Sequence, residues 1–191
     1  MPRIVGYTEV LDATRALQLR SLYYNSGAFG FEDGIDAKSV GWICAEDSSL
    51  RPEARQLARL VPGPAELTLP RLLTRAIAKH LPAPVWVMPK SHWAFELDCG
   101  RRAWMAHALQ EIGIDPRVLE PLATGDAIEF DAGEVLQFAA FTSQLLINLT
   151  ASDFALGFPG RPVVCTLHHH KQVWWTTNDL KLLHSLEQLA A

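Results

Sequence analysis

Three consecutive histidines lie near the end of the chain, in the segment TLHHHKQVWW at residues 166–175. The β-branched and aromatic residues around them predict a β-strand, in which successive side chains point to opposite faces. His168 and His170 are therefore expected on one face, and His169 on the other. Two imidazoles on one face can bind the same metal ion, but a metal site needs at least one further ligand.

Residues 92–98 alternate apolar and polar side chains and are also predicted to form a strand, whose polar face carries His92 and Glu96. If this strand lay beside the histidine strand, Glu96 and the two histidines on its face, His168 and His170, would form a catalytic site for a hydrolase or lyase. His92, His168 and His170 would then be the candidate ligands of a divalent metal. The alternative interpretation is a polar hairpin turn without chemistry.

The adjacent tryptophans Trp174 and Trp175 must face opposite sides of their predicted strand. One of them is expected in the core. The other is expected either beneath helices on the second face of the sheet or exposed as part of a contact surface. Both are therefore candidate binding residues.

The sequence contains no GxSxG elbow, Walker sequence, GxGxxG loop, HExxH pair or CxxC pair. Cys165 stands three residues before His168, an odd offset that puts the two side chains on opposite faces of a strand. A Cys–His dyad built from these residues is therefore disfavoured. We expect no cofactor, and a divalent metal at the histidines is the alternative.

Basic residues recur every four residues in two predicted helices, over residues 50–61 and 69–81. Such spacing lines one helix face, so this basic stripe predicts electrostatic contact with an acidic or phosphate-bearing partner. An ordinary solvated helix surface shows the same pattern. The residues of the basic stripe are Arg51, Arg55 and Arg59 in the first helix and Arg71, Arg75 and Lys79 in the second.

The composition restricts the class of protein. The chain has 191 residues, of which 49% are hydrophobic and 20% charged, as expected for one sizeable core. A net charge of -4 makes dedicated nucleic-acid binding unfavourable, although a local basic patch keeps it as an alternative. No apolar run is long enough for a membrane span. Three scattered cysteines and the lack of an N-terminal apolar signal predict a cytoplasmic protein.

The elements that must position these residues do not alternate regularly as βαβ units. Short strand-like runs come in groups, with helical segments between the groups. We therefore expect one α+β domain over residues 1–191, with a mainly antiparallel sheet and about five to six helices packed on it. The lack of motifs favours a small binding protein of the inhibitor, immunity or adaptor type that docks on a protein partner. A homo-oligomer, a His/carboxylate hydrolase or lyase, and a nucleic-acid binder are the alternatives.

Overall fold

The computed structural model describes residues 1–44, 52–81, 83–97 and 103–190. These residues form eight α-helices and ten β-strands, and eight of the strands make one mainly antiparallel sheet. The α+β class is thus confirmed, with more helices than the five to six expected. Within the described ranges, every helix is too short or too polar to cross a bilayer.

The large sheet has the strand order β1-β7-β6-β8-β9-β10-β4-β5, and β4 and β5 pair in parallel. The strands β2 and β3 form a separate two-stranded sheet. The strands are β1 (Arg3–Val5), β2 (Leu19–Ser21), β3 (Phe29–Phe31), β4 (Lys38–Cys44), β5 (Ala58–Val61), β6 (Val85–Pro89), β7 (Ala127–Phe130), β8 (Phe154–Gly157), β9 (Val163–His168) and β10 (Gln172–Thr177).

The helices bury apolar stripes against this sheet, and the larger core cluster lies between its first face and the helices α3, α5, α7 and α8. A smaller core cluster lies on the other face, where α1 and the β2–β3 pair cover the sheet. The helices are α1 (Tyr7–Arg15), α2 (Pro52–Gln56), α3 (Ala65–His80), α4 (Trp93–Leu97), α5 (Ala103–Glu111), α6 (Pro116–Leu119), α7 (Val135–Asn148) and α8 (Leu180–Leu189).

The two adjacent tryptophans of β10 have different surroundings. Trp175 is fully buried in the larger core, where its ring meets the edge of Trp42 at a centroid distance of 5.2 Å. Trp174 is half-buried and covers Gly41 of β4 so closely that an added Cβ there would lie 2.7 Å from the indole. Gly41 thus leaves the space that the indole of Trp174 fills.

The predicted strand over residues 92–98 is wrong, because Trp93–Leu97 forms the short helix α4. The buried residues of this segment are Trp93 and Glu96, which stand three positions apart as on one helix face, whereas Phe95 is 49% exposed. The imidazole of His92 accepts the Phe95 N–H through Nδ1 at 3.1 Å and so caps the helix. The polar strand face that was to carry His92 and Glu96 does not exist.

The predicted helix over residues 50–61 is also wrong for its second half. The helix α2 ends at Gln56, and Arg59 lies in β5 beside β4. The β-branched and apolar residues after Gln56 find a parallel pairing partner in β4, and this long-range pairing overrides the local helical spacing. Arg51 lies outside the described residues. Because Arg55 lies in α2 and Arg59 in β5, these two residues do not share one helix face.

Candidate functional site

The three histidines meet at the turn between β9 and β10. The strand β9 ends at His168, which pairs with Gln172, and Lys171 adopts a left-handed conformation with φ 57°. The turn interrupts the alternation of side chains, so all three imidazoles gather at one place, with centroid distances of 4.2, 4.3 and 5.0 Å. The prediction that His169 points away from its neighbours is therefore wrong, because the strand does not continue through it.

The histidine cluster, defined as His168, His169 and His170, has the chemistry of a metal site. One nitrogen from each imidazole lies within 4.8 Å of the others. In tetrahedral zinc sites, with Zn–N bonds of about 2.0 Å, the ligand nitrogens stand about 3.3 Å apart. Metal binding would require the imidazoles to rotate closer together; two of the residues are half-buried and the third is exposed.

Asp153, immediately before β8, holds the central histidine of the cluster. Its Oδ1 accepts both the backbone N–H of His169, at 3.1 Å, and the Nδ1–H of the same residue, at 2.9 Å. Its Oδ2 lies 4.0 Å from Nε2 of His168. A carboxylate that accepts from Nδ1 fixes the tautomer and leaves the lone pair of Nε2 available to a metal or a proton.

The environment of His168 favours the neutral form of its imidazole. Burial lowers the pKa of its imidazole, and the neighbouring His169, His170 and Lys90 lower it further, while Asp153 opposes them. Its Nδ1 accepts the backbone N–H of His170 at 3.2 Å. A neutral imidazole is the form that binds metals, so this shift favours coordination.

An open cleft of about 480 Å³ lies beside the histidine cluster. Its walls combine polar groups, one cation and two aromatic rings, so it offers several kinds of contact to one ligand. The lining residues with polar or aromatic side chains are Tyr23, Lys90, Ser91, Phe95, Ser152, Asp153 and His169.

The buried carboxylate of Glu96 supports the floor of this cleft. Its Oε1 accepts the hydroxyl of Ser91 at 2.6 Å, and its Oε2 accepts the hydroxyl of Ser152 at 3.1 Å. Ser152 and Asp153 are consecutive, so one dipeptide connects the core carboxylate to His169. Glu96 and the histidines thus belong to one region, but the serine hydroxyls stand between Glu96 and the cleft.

The predicted site residues are only partly brought together. His168 and His170 lie in the histidine cluster, and Glu96 lies under the neighbouring cleft. His92 is not a member of the cluster, and its Nδ1 is engaged in capping α4. The predicted set missed Asp153, because no sequence periodicity shows that the residue before β8 lies beside a turn sixteen positions later.

Among the residues that the structure describes, the members of the basic stripe and the two tryptophans Trp174 and Trp175 do not line this cleft. Arg59 forms an ion pair with Glu187 of α8 at 2.6 Å. Trp175 is fully buried in the core and is therefore inaccessible to a partner protein. The other members of the basic stripe that the structure describes are all exposed: Arg55 on α2 and Arg71, Arg75 and Lys79 on α3.

Arg75 and Lys79 face Ser185 and Gln188 across a groove between α3 and α8. Both cations thus lie on another part of the surface than the cleft.

The histidine cluster and its cleft form the strongest candidate site. Comparison of this chain with protein-family models, with curated proteins and with solved structures found no match.

Proposed function

We propose that this protein binds a divalent transition-metal ion through the imidazoles of the histidine cluster. The observation that supports this most strongly is the approach of three imidazole nitrogens to within 4.8 Å of one another. Imidazole is a ligand suited to zinc, copper, nickel and iron. Three protein nitrogens with one position left open are the ligand set of catalytic rather than structural zinc sites.

Asp153 acts as the outer-shell carboxylate in this proposal. It holds His169 through two hydrogen bonds, at 2.9 and 3.1 Å, so that the Nε2 lone pair of this imidazole is free for the metal. Coordination by Nδ1 of His168 exchanges its hydrogen bond with the His170 N–H for a metal bond, at a cost of about 1 kcal/mol. That cost is small beside the free energy of a three-imidazole metal site.

The cleft gives the proposed metal a place to act on a ligand. A metal at an open coordination position polarises a carbonyl or lowers the pKa of a bound water molecule. His169 and Asp153 line the cleft, so a metal held by the histidine cluster would lie beside the space that a substrate would occupy. A metal-dependent hydrolase is the enzyme class that this arrangement suits.

Metal binding is tested by titrating the metal-free protein with Co²⁺, whose visible absorption reports four-coordinate binding, and with Zn²⁺ in competition. We expect one equivalent to bind, and His169→Gln to weaken the affinity at least about tenfold. His107→Gln is the matched control, since this exposed histidine on α5 lies outside the cluster. Equal affinities of His169→Gln and the unchanged protein would contradict the proposal.

As a second function we propose docking on a protein partner in the cytoplasm, because exposed aromatic residues stand at the edge of the cleft. Tyr23 is 68% exposed, Tyr24 is 93% exposed, and Leu22 beside them is half-exposed. Aromatic side chains of this kind are enriched in the energetically important parts of protein interfaces. This aromatic rim replaces Trp174, Trp175 and the basic stripe as the centre of the proposed contact.

Docking is tested by capturing partners from the protein's own host with the unchanged chain and with Tyr23→Ala plus Tyr24→Ala. The expected result is one stoichiometric partner that no longer binds the double variant. Tyr7→Phe is the control and should retain this partner; it removes only a hydrogen bond from the Tyr7 hydroxyl to Ser21. Self-association through the same residues would make the partner a second copy. Retention of the partner by the double variant would rule out this surface.

A further inference from the structure

We propose that the ligand of the metal site carries a carboxylate, bound between the metal and the ammonium of Lys90, with an apolar part against Tyr23 and Phe95. The inference rests on the proposed metal site and adds the class of ligand. It follows from three properties of the cleft. These are a cation without an ion-pair partner among the described residues, two serines whose hydroxyls donate to Glu96, and two exposed aromatic rings.

Lys90 is the cation of the cleft. It directly follows β6, and its backbone N–H donates to the carbonyl of Asp153 at 2.9 Å, which anchors it beside the residue that holds His169. Its side chain is half-buried, and its ammonium makes no ion pair or hydrogen bond with any residue in the described ranges. A cation without a counter-charge in a cleft attracts an anionic ligand.

Lys90 lines the same cleft as His169 of the histidine cluster, and its backbone N–H is hydrogen-bonded to Asp153, which holds that imidazole. Two positive charges in one cleft repel each other, so Lys90 weakens metal binding while the cleft holds no anion. An anion between them removes the repulsion, so metal and anion are expected to bind cooperatively.

The two serines of the cleft determine which anion fits. The hydroxyls of Ser91 and Ser152 both donate to Glu96 beneath them, so they present lone pairs to the cleft. The anion therefore finds two positive partners, the metal and Lys90. A carboxylate has two oxygens and satisfies both with one oxygen each, whereas a phosphate places its further oxygens against serine lone pairs and Asp153.

The rings of Tyr23 and Phe95 account for the rest of the ligand. Both residues line the cleft, and Tyr23 is 68% exposed while Phe95 is 49% exposed. Covering them with an apolar group removes aromatic surface from water at little conformational cost to the protein. An aryl or branched alkyl group attached to the carboxylate would supply this apolar surface.

The inference is tested on the Co²⁺-loaded full chain by titration with phenylacetate, using the visible spectrum of the metal. We expect a saturable spectral change, and weaker binding of phenylacetate by about threefold or more in Lys90→Met. The Co²⁺ affinity of this variant without phenylacetate should be equal to or higher than that of the unchanged protein, because the repulsion from Lys90 is gone. Lys171→Met is the matched control, because this lysine lies in the histidine turn but does not line the cleft. Inorganic phosphate is expected to bind more weakly than phenylacetate.

Two results separate this inference from the metal proposal. If Co²⁺ binds but phenylacetate leaves the spectrum unchanged, or Lys90→Met binds it as tightly as the unchanged protein, the carboxylate ligand is wrong and the metal site stands. If Co²⁺ does not bind, the metal proposal is wrong. An NMR titration of the metal-free protein then shows whether phenylacetate shifts the Lys90 and Tyr23 resonances, and no shift overturns the inference as well.

Discussion

Oδ1 of Asp153 accepts two hydrogen bonds from a single residue, one from the backbone N–H of His169 and one from its Nδ1. The two bonds fix both the position of the main chain at the turn and the orientation of the imidazole. This pairing connects the start of β8 to the tip of the next hairpin. The metal affinity of the histidine cluster should therefore depend on a residue that does not bind the metal.

Asp153→Asn is expected to weaken Zn²⁺ binding about tenfold or more, because a neutral amide lowers the basicity of His169 and no longer enforces one tautomer. The affinity is measured by competition with a chromophoric chelator. Asp36→Asn is the control, since Asp36 is exposed and paired with Lys38 far from the cluster in sequence. An unchanged affinity in Asp153→Asn would show that the imidazole needs no orienting carboxylate.

The pKa of His168 in the metal-free protein is expected below the ordinary histidine value of about 6.5, as burial and the neighbouring cationic groups dictate. Because the folded state then binds fewer protons than the unfolded state, stability is lost as the pH falls through the unfolded value towards the folded one. NMR of the imidazole carbons gives the pKa, and urea unfolding above and below pH about 6 gives the stability.

The control for this pH dependence is His168→Gln, which removes the titrating group. We expect the loss of stability on acidification to become smaller in this variant. A measured pKa of His168 above the ordinary histidine value of about 6.5 would contradict the environment described for the cluster, since it would mean that Asp153 outweighs burial.

Trp175→Phe is expected to destabilise the fold less than Trp42→Phe does. Both indoles are fully buried, but Nε1 of Trp42 donates to the carbonyl of Leu186 at 3.1 Å, whereas Nε1 of Trp175 has no partner among the described residues. Removing an unsatisfied N–H recovers about 1–3 kcal/mol of desolvation cost, which offsets part of the lost packing. The measurement is denaturant unfolding of both variants, and equal losses would contradict the unpaired N–H.

Cys165 is expected to resist alkylation in the folded protein. Burial raises the pKa of its thiol well above the ordinary range, so almost no thiolate is present at neutral pH, and the side chain is fully enclosed in the core. Iodoacetamide labelling followed by peptide mass spectrometry should modify Cys165 only after unfolding. Labelling of Cys165 at similar rates with and without denaturant would show that the strand β9 opens readily.

The sequence was sufficient to predict the fold class and the opposite placement of Trp174 and Trp175, because strand periodicity describes regular β-structure well. It failed for residues 92–98, where seven residues are too few to separate a period of 2 from a period of 3.6. It also failed for residues 57–61, where pairing with β4 decides the local structure.

The candidate site was predictable only in its histidines. Periodicity separated His169 from His168 and His170, because it assumed that the strand continues through the turn. Asp153 and Lys90 come from the ends of two other strands, and their approach depends on the strand order β6-β8-β9. Strand order is a property of the whole fold and is not encoded in local spacing.

The position of the histidine cluster in one short turn has a consequence for the folding of the chain. All its ligands come from three consecutive residues, so a bound ion closes no long loop and removes little entropy from the unfolded chain. Metal removal should therefore loosen the tip of the β9–β10 hairpin while the cooperative unfolding of the rest stays nearly the same. The ion would bind ligands at the cleft and would contribute little to the stability of the fold.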